Sequence, residues 1–425
     1  MPSYPEIREM WADLGVNLDK HDQYVGAFPK VFKETILSQE NRPEGMAYFT
    51  DVVKRLHGAR PWELYQHRQT GGKVVGTYCV YVPDELIYAL GAASTGLCGG
   101  DQFWVPAGQA VLPSNMCALV ASSVGSRLDR TSPFCQVADL YVGEATCDGK
   151  KKAWEILGQD VNLHVMDMPQ KKRAKDAERF AQEIEELGQV LEKLTGNTLT
   201  AENLAKGIKL INGRRRALQR LQALRATRPA PISGLDALMV VQVGFYDDPA
   251  RFAEKVNELC DELEERVKNG QGVAPAEAKR IVLTGSPMAI PNWKLPRIVE
   301  QSGAVVVAEE ICTGSRFFEN LVDEDIADLE GMIRALAQRY LKTNCACFTP
   351  NQGRMDDIVR LAKDNLGDGV IDYALQFCGL YTTESHMVAQ AMKQAELPML
   401  QVVTDYSTED TAQLSTRVQA FLEML

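Results

Sequence analysis

Short apolar runs alternate with helical stretches in two separate parts of the chain. In the first part, residues 73–79 (Lys-Val-Val-Gly-Thr-Tyr-Cys) read as a strand, and residues 94–98, 138–143 and 162–166 as three more. Pro83, then Asp84, Glu85 and the apolar Leu86, Ile87 and Leu90, predict a helix start between the first two. In the second part, strands are predicted at 280–284, 304–308, 369–375 and 400–404. Helices are predicted at 294–302, 325–340, 355–365 and 385–395, the last with Ser385 as its N-cap. Residues 280–308 make a complete strand–helix–strand unit. Apolar runs spaced by helices in this way predict βαβ units and a mainly parallel sheet in each part.

The stretch between them has a different period. Phe180, Ile184, Leu187, Leu191 and Leu194 recur at steps of four and three, and Leu204, Ile208, Ile211, Leu218, Leu221 and Leu224 continue the pattern. That spacing predicts amphipathic helices; two more are expected at 235–243 and 249–269. Arg214, Arg215, Arg216, Arg220 and Arg225 offer either a site for an anionic partner or a solvated helix face. Residues 1–70 read as a helical lead-in with Trp11, Phe28, Val31, Phe32 and Ile36 as candidate core. The expected architecture is therefore α/β: two lobes, each a mainly parallel sheet flanked by helices, plus a helical insert. The expected divisions are a lead-in at 1–70, a first lobe at 71–169, a helical bridge at 170–275 and a second lobe at 276–425.

The 425 residues are 45% hydrophobic and 24% charged, enough apolar surface for two cores without covalent staples. Lys+Arg 46 against Asp+Glu 57 leaves −11, which argues against a nucleic-acid binder. No apolar run reaches the roughly 18 residues of a membrane span. Residues 1–20 are polar and mixed in charge, without a signal-peptide core, so the expected location is cytoplasmic.

Ten cysteines change the picture most: Cys79, Cys98, Cys117, Cys135, Cys147, Cys260, Cys312, Cys345, Cys347 and Cys378. A long chain without a secretory signal rarely uses disulfides, so these are thiolate metal ligands or buried small hydrophobes. With five histidines only, a metal site would be rich in sulfur, which favours iron–sulfur or zinc. Ligands of open α/β sheets gather beyond the carboxyl ends of the strands. Cys147, Cys312 and Cys378 each follow a predicted strand, and Cys117 opens an apparent helix that can join them. A helix N-terminus lowers a thiol's pKa and favours the thiolate. No Cys-x-x-Cys occurs, the closest pair being Cys345-Ala-Cys347, so neither a zinc ribbon nor a ferredoxin-type run fits. A cluster here would be assembled from thiols far apart in the chain; buried structural cysteines are the alternative. Cys79 and Cys260 lie in strand and helix patterns and read as buried hydrophobes. The glycine of the turn Thr284-Gly-Ser-Pro-Met288, with the helix that follows at 294–302, could bind phosphate.

Several motifs resemble those of the 2-hydroxyacyl-CoA dehydratase and benzoyl-CoA reductase family. They are Tyr78-Cys-Val-Tyr-Val-Pro-Asp-Glu-Leu-Ile-Tyr-Ala-Leu-Gly-Ala92, a following Cys117, Thr146-Cys147-Asp148 and Phe377-Cys378. The segments Gly143-Glu-Ala-Thr-Cys-Asp-Gly-Lys-Lys-Lys152, Cys312-Thr-Gly-Ser-Arg316 and Asn344-Cys-Ala-Cys347 are similar to its double-cubane cluster branch. The resemblance runs from about residue 70 to the end. One departure is Ser132-Pro133, where relatives tend to have Cys-Pro.

The resemblance implies that Cys117, Cys147 and Cys378 ligate one [4Fe–4S] cubane. By motif, Cys312, Cys345 and Cys347 would hold a second, the two joined by a bridging sulfide; Cys98 and Cys135 are the other candidates. It also implies an iron–sulfur reductase fed with low-potential electrons by a separate ATP-hydrolysing iron–sulfur activator. This chain itself carries no Gly-x-x-x-x-Gly-Lys-Ser/Thr motif. The substrate would be a small molecule or an acyl-CoA, and the assembly a homodimer. Glu309, Glu310, Arg316 and His386 lie near these ligands in sequence and are candidates for proton delivery or substrate contact. Their plain alternatives are an exposed loop for the two glutamates and a polar helix start for His386. Two other functions remain open at this point. One is a single-cluster dehydratase or reductase subunit, in a heteromer with a second, different chain. The other is a non-enzymatic carrier of electrons or clusters.

Overall fold

The computed structural model describes residues 2–425 and contains two sheets of four parallel strands. The first is built from β1 (Val74–Thr77), β2 (Ala93–Gly96), β3 (Leu140–Glu144) and β4 (Leu163–Met166), in the order β2-β1-β3-β4. The second is built from β5 (Arg280–Gly285), β6 (Val305–Glu310), β7 (Gly369–Leu375) and β8 (Met399–Thr404), in the order β6-β5-β7-β8. The topologies are the same, so the two lobes are structural counterparts, as the alternation of apolar runs and helices predicts. All pairings are parallel, for example Gly76 with Tyr141 and Leu283 with Ile371. The central strand β7 is buried along its whole length, which explains its nearly unbroken apolar sequence. The edge strand β8 is partly exposed, with Gln401 and Val403 turned outward and Val402 and Thr404 inward.

Several boundaries differ from expectation, each for a local reason. β6 runs two residues further, through Glu309 and Glu310, because buried arginines neutralise both carboxylates. The helix before Cys345 begins at Leu329, where Asp328 caps it through Gly331 N–H at 2.8 Å. The helix predicted from Ser385 begins six residues earlier, as Gly379–Gln394, with Cys378 at its N-cap position. Ser385 is instead buried inside it, with its hydroxyl bonded to Tyr381 O and Asp372. No helix directly follows the turn after β5; the next starts at Lys294. The phosphate-binding reading of that turn therefore loses its helix N-terminus. Gly285 has φ +123°, and a Cβ there would sit 1.8 Å from Tyr373 O, so the turn is shaped for close backbone packing.

The helical bridge corrects both readings of its arginines. The helix Ala201–Arg225 is a strut between the lobes, with Leu204, Ile208, Ile211, Leu218 and Leu221 buried. Arg214 pairs with Asp84 at 2.6 Å and Arg215 with Glu85 at 2.6 Å, both on the helix Asp84–Ala89 of the first lobe. Arg225 grips Glu309 of β6 through both guanidinium nitrogens, at 2.7 and 2.6 Å. Arg216 and Arg220 pair with Glu324 and with Asp261 and Glu264. The five cations serve neither an anionic partner nor a bare solvated face; three of them bind the strut to both lobes. Close packing supports the ion pairs: a Cβ on Gly207 would sit 2.3 Å from Glu85 O.

The N-terminal helices pack across the same seam. Phe32 and Ile36 are buried, and Phe28 and Phe32 lie 6.2 Å from the Trp293 ring of the second lobe. Val31 is exposed rather than core. Among the described residues no helix is long and apolar enough to cross a membrane.

Candidate functional site

The carboxyl ends of both sheets open onto one cavity of about 830 Å³ between the lobes. Parallel sheets place every strand-to-helix turn at the same end, so two like lobes facing each other pool their turns there. Eight cysteines line it: Cys79, Cys98, Cys117, Cys147, Cys312, Cys345, Cys347 and Cys378. All ten cysteines of the chain are free thiols.

The first three sequence-predicted thiols share one local design. Cys117, Cys147 and Cys378 each stand at the N-cap position of a helix: Ala118–Leu128, Asp148–Leu157 and Gly379–Gln394. The free N–H groups and positive end of a helix favour a thiolate at that place. The backbone N–H of Lys150 donates to Cys147 Sγ at 3.4 Å. A hydrogen bond from the Cys378 thiol holds the Cys117 pKa below its ordinary value, and the same contact pushes Cys378 up. Burial raises Cys147 against the pull of the Lys150 N–H. Cys378 and Cys147 come from equivalent turns, after β7 and after β3.

The second set is deeper. Cys312 and Cys345 are each 8% exposed and Cys347 is half-buried. Hydrogen bonds from Cys312, then Cys347, push Cys345 well down, and the contact with Cys345 raises both partners. The Tyr381 hydroxyl lies 3.4 Å from Cys345 Sγ, and Arg316 Nη1 lies 3.8 Å from Cys312 Sγ. Each triad thus contains one thiol whose pKa its neighbours hold down. Among the described residues no three His, Cys, Asp or Glu side chains are arranged around a single metal ion. Six thiols spread over one cavity suit polynuclear groups, in which each sulfur meets a different metal atom, better than one ion. The donor set, soft sulfur throughout, suits iron–sulfur chemistry.

Charged groups behind the thiols come in matched pairs. Glu144 ends β3 and ion-pairs with Lys150, whose side chain is nearly buried. Glu310 ends β6 and pairs with Arg316 at 2.5 Å and with Arg354 at 3.1 Å. Lys172, lowered by burial to about 8, bonds Thr343 O at 2.9 Å and lies 4.3 Å over the Phe348 ring, tying the loop before the bridge to the Cys345 loop. Leu119, Phe245 and Ile290 give the cavity an apolar part of its wall, while Lys151 and Lys171 line it as exposed side chains.

Of the four residues proposed for proton delivery or substrate contact, only Arg316 touches a predicted ligand. Glu309 is taken up by Arg225 and Glu310 by Arg316 and Arg354, both buried at the end of β6 rather than in an exposed loop. His386 is on the exposed face of its helix, bonded to Gln390, and away from the cavity wall. Cys135 is buried with its sulfur 3.7 Å from Ser126 Oγ, outside the cavity, and Ser132 caps the helix Pro133–Val137. Cys260 is buried in the helix Pro249–Lys268, as expected. Cys79 is not a plain core thiol; it lines the cavity beside Cys98, whose Sγ donates to Tyr78 O at 3.0 Å. β1 ends at Thr77, so Cys79 is already in the strand-end turn, a position the strand pattern placed inside the strand. Sequence reasoning also misses Tyr381 and Lys150, for which the neighbouring Cys378 and Cys147 are the available signal.

Two α/β lobes thus share a cysteine-lined cleft at their strand ends. The chain belongs to the 2-hydroxyglutaryl-CoA dehydratase D-component family, whose pattern it matches over residues 79–425. It is 36% identical over 364 residues to YjiM of Escherichia coli (strain K12), whose name assigns it provisionally as a dehydratase subunit; the match covers 84% of this chain and 93% of that one. It is 23% identical over 381 residues to the beta subunit of (R)-phenyllactyl-CoA dehydratase from Clostridium sporogenes, covering 89% and 98%. It is 24% identical over 347 residues to one of the subunits of benzoyl-CoA reductase from Thauera aromatica, covering 80% and 87%.

Proposed function

We propose that the chain is an iron–sulfur reductase of the double-cubane type. Cys117, Cys147 and Cys378 would hold one [4Fe–4S] unit and Cys312, Cys345 and Cys347 a second, the two bridged by sulfide. The observation that carries this reading is the grouping of six free thiols into two interacting triads on one cavity. When bound, the clusters would supply low-potential electrons to a small molecule or acyl-CoA in the cleft.

The chain's own residues fit that task. The three outer thiols stand at helix N-termini, whose positive ends favour the thiolate that a metal needs, and the Lys150 N–H donates directly to Cys147. Glu144 and Glu310 offset the charges of Lys150 and Arg316, so the thiol shell keeps its anionic character. An anionic, largely buried shell makes reduction difficult. The energy for it must come from elsewhere, since the chain has no P-loop motif of its own. A separate ATP-hydrolysing iron–sulfur activator is the proposed electron donor. Leu119, Phe245 and Ile290 supply apolar wall, and the exposed Lys151 and Lys171 suit an anionic group on an incoming substrate.

A second reading is supported by the names of the relatives, which are subunits of a dehydratase and a reductase named for CoA thioesters. In it, the chain carries only the Cys117, Cys147 and Cys378 cluster and works beside a different polypeptide. Paired variants separate the two. Anaerobic reconstitution of Cys378→Ala and of Cys345→Ala should each leave about half the iron of the parent chain if both triads hold a cubane. If only the first triad does, Cys345→Ala keeps all its iron and Cys378→Ala loses it.

A further inference from the structure

The inner triad has a feature that its outer counterpart lacks: direct contact with polar side chains fixed in a buried network. Tyr381 Oη lies 3.4 Å from Cys345 Sγ. The same hydroxyl accepts a hydrogen bond from Arg316 Nη1. Once Cys345 is a thiolate, as a metal ligand must be, the hydroxyl is the only group that can donate across this contact. Arg316 Nη1 is also 3.8 Å from Cys312 Sγ, a contact it shares with Gly285 O at 3.3 Å. The guanidinium cannot turn away, because its Nε and Nη2 are held by Glu310 at 2.5 and 2.7 Å. Glu310 is braced in turn by Thr284 at 2.6 Å and Arg354 at 3.1 Å, and Arg354 by Glu384 at 2.5 Å. The Tyr381 ring packs beneath both guanidiniums, 5.4 and 5.1 Å from their carbons. Two donors are thereby aimed at two thiols of one triad by a frame that is nearly all buried. The outer thiols meet backbone N–H groups of helix N-termini instead, as at Cys147.

We propose that Arg316 and Tyr381 are positioning residues that set how readily the inner metal site accepts an electron, independently of the outer site. This rests on the six-thiol reading above. A donor hydrogen bond or a nearby cation stabilises a thiolate more as the attached group gains negative charge, so each contact favours the reduced state. The two triads are therefore tuned by different means, helix N-termini at the outer one and an Arg–Tyr fork at the inner one.

The test is a redox titration followed by electron paramagnetic resonance on anaerobically loaded full-length chain, with iron and sulfide counted on the same samples. Tyr381→Phe keeps the ring and its packing and removes one hydroxyl. It should make one of the two reduction transitions about tenfold less favourable, which is about 59 mV for a one-electron couple, and leave the other in place. Arg316→Lys keeps a cation but loses the fork, and should move the same transition in the same direction. Fully loaded variants whose transitions both stay put, or both move equally, would overturn this inference alone. Loss of iron from Tyr381→Phe would also overturn it, by making the hydroxyl a structural requirement. A parent chain that takes up no iron would instead remove the six-thiol reading beneath it.

Discussion

Replacing Arg225 by Met tests whether the strut helix holds the second lobe in place. Arg225 and Glu309 are 3% and 2% exposed, so their pairing is out of water. Met keeps most of the aliphatic stem and its packing but removes the charge. Two charge-assisted bonds to Glu309 disappear, with a third to Val306 O at 3.0 Å. At about 1.5–3 kcal/mol for each bond to a charged group, the two to the carboxylate amount to about 3–6 kcal/mol. Breaking one side of a buried pair typically costs about 3–5 kcal/mol, because the other charge is left stranded. A urea titration of Arg225→Met should therefore show a loss of about 3–5 kcal/mol. The double variant Arg225→Met with Glu309→Leu removes the stranded carboxylate and should recover most of that loss. A single variant within about 1 kcal/mol of the parent would contradict the reasoning, since it would mean that water reaches the pair. A double variant less stable than the single would contradict it equally.

Burial lowers His21 to about 4, where it stacks on His57 with 3.0 Å between ring nitrogens. The unfolded chain binds this proton from about pH 6.5 downward and the folded chain only near 4, so stability falls as pH drops through that window. His21→Asn should flatten the dependence of Tm on pH between about 6.5 and 4; an unchanged slope would count against it. At Gly100 an added Cβ would lie 2.1 Å from Ala289 O, a backbone contact between the lobes. Gly100→Ala should cost about 1–3 kcal/mol of stability through overpacking and so lower Tm, whereas Gly213→Ala, with open space around it, should not.

Much of this architecture is legible in the sequence because parallel strands buried on both faces leave unbroken apolar runs, as in β5 and β7. Cys147, Cys312 and Cys378 are legible as strand-end residues and Cys117 as a helix start, whereas Cys345 and Cys347 are legible only through the Asn344-Cys-Ala-Cys347 motif. The buried charges are not. Glu309 and Glu310 look like loop carboxylates because no local pattern shows that Arg225, Arg316 and Arg354 arrive from distant segments to pair with them. The same reason hides the strut: Arg214, Arg215 and Arg225 read as a solvated basic face until Asp84, Glu85 and Glu309 are brought against it. His386 misleads for the opposite reason. Nearness in sequence to Cys378 suggests a role, but the helix starts at Gly379 and turns His386 outward. Cys79 is masked by a strand pattern that overruns the true strand end at Thr77.

Iron and acid-labile sulfide per chain, counted after strictly anaerobic purification, test the central claim most directly. Two thiol triads filled as proposed predict about eight irons and about nine sulfides, four of each per cubane plus the bridging sulfide. A chain with neither iron nor sulfide, its thiols all still free to alkylation in the native fold, would contradict it.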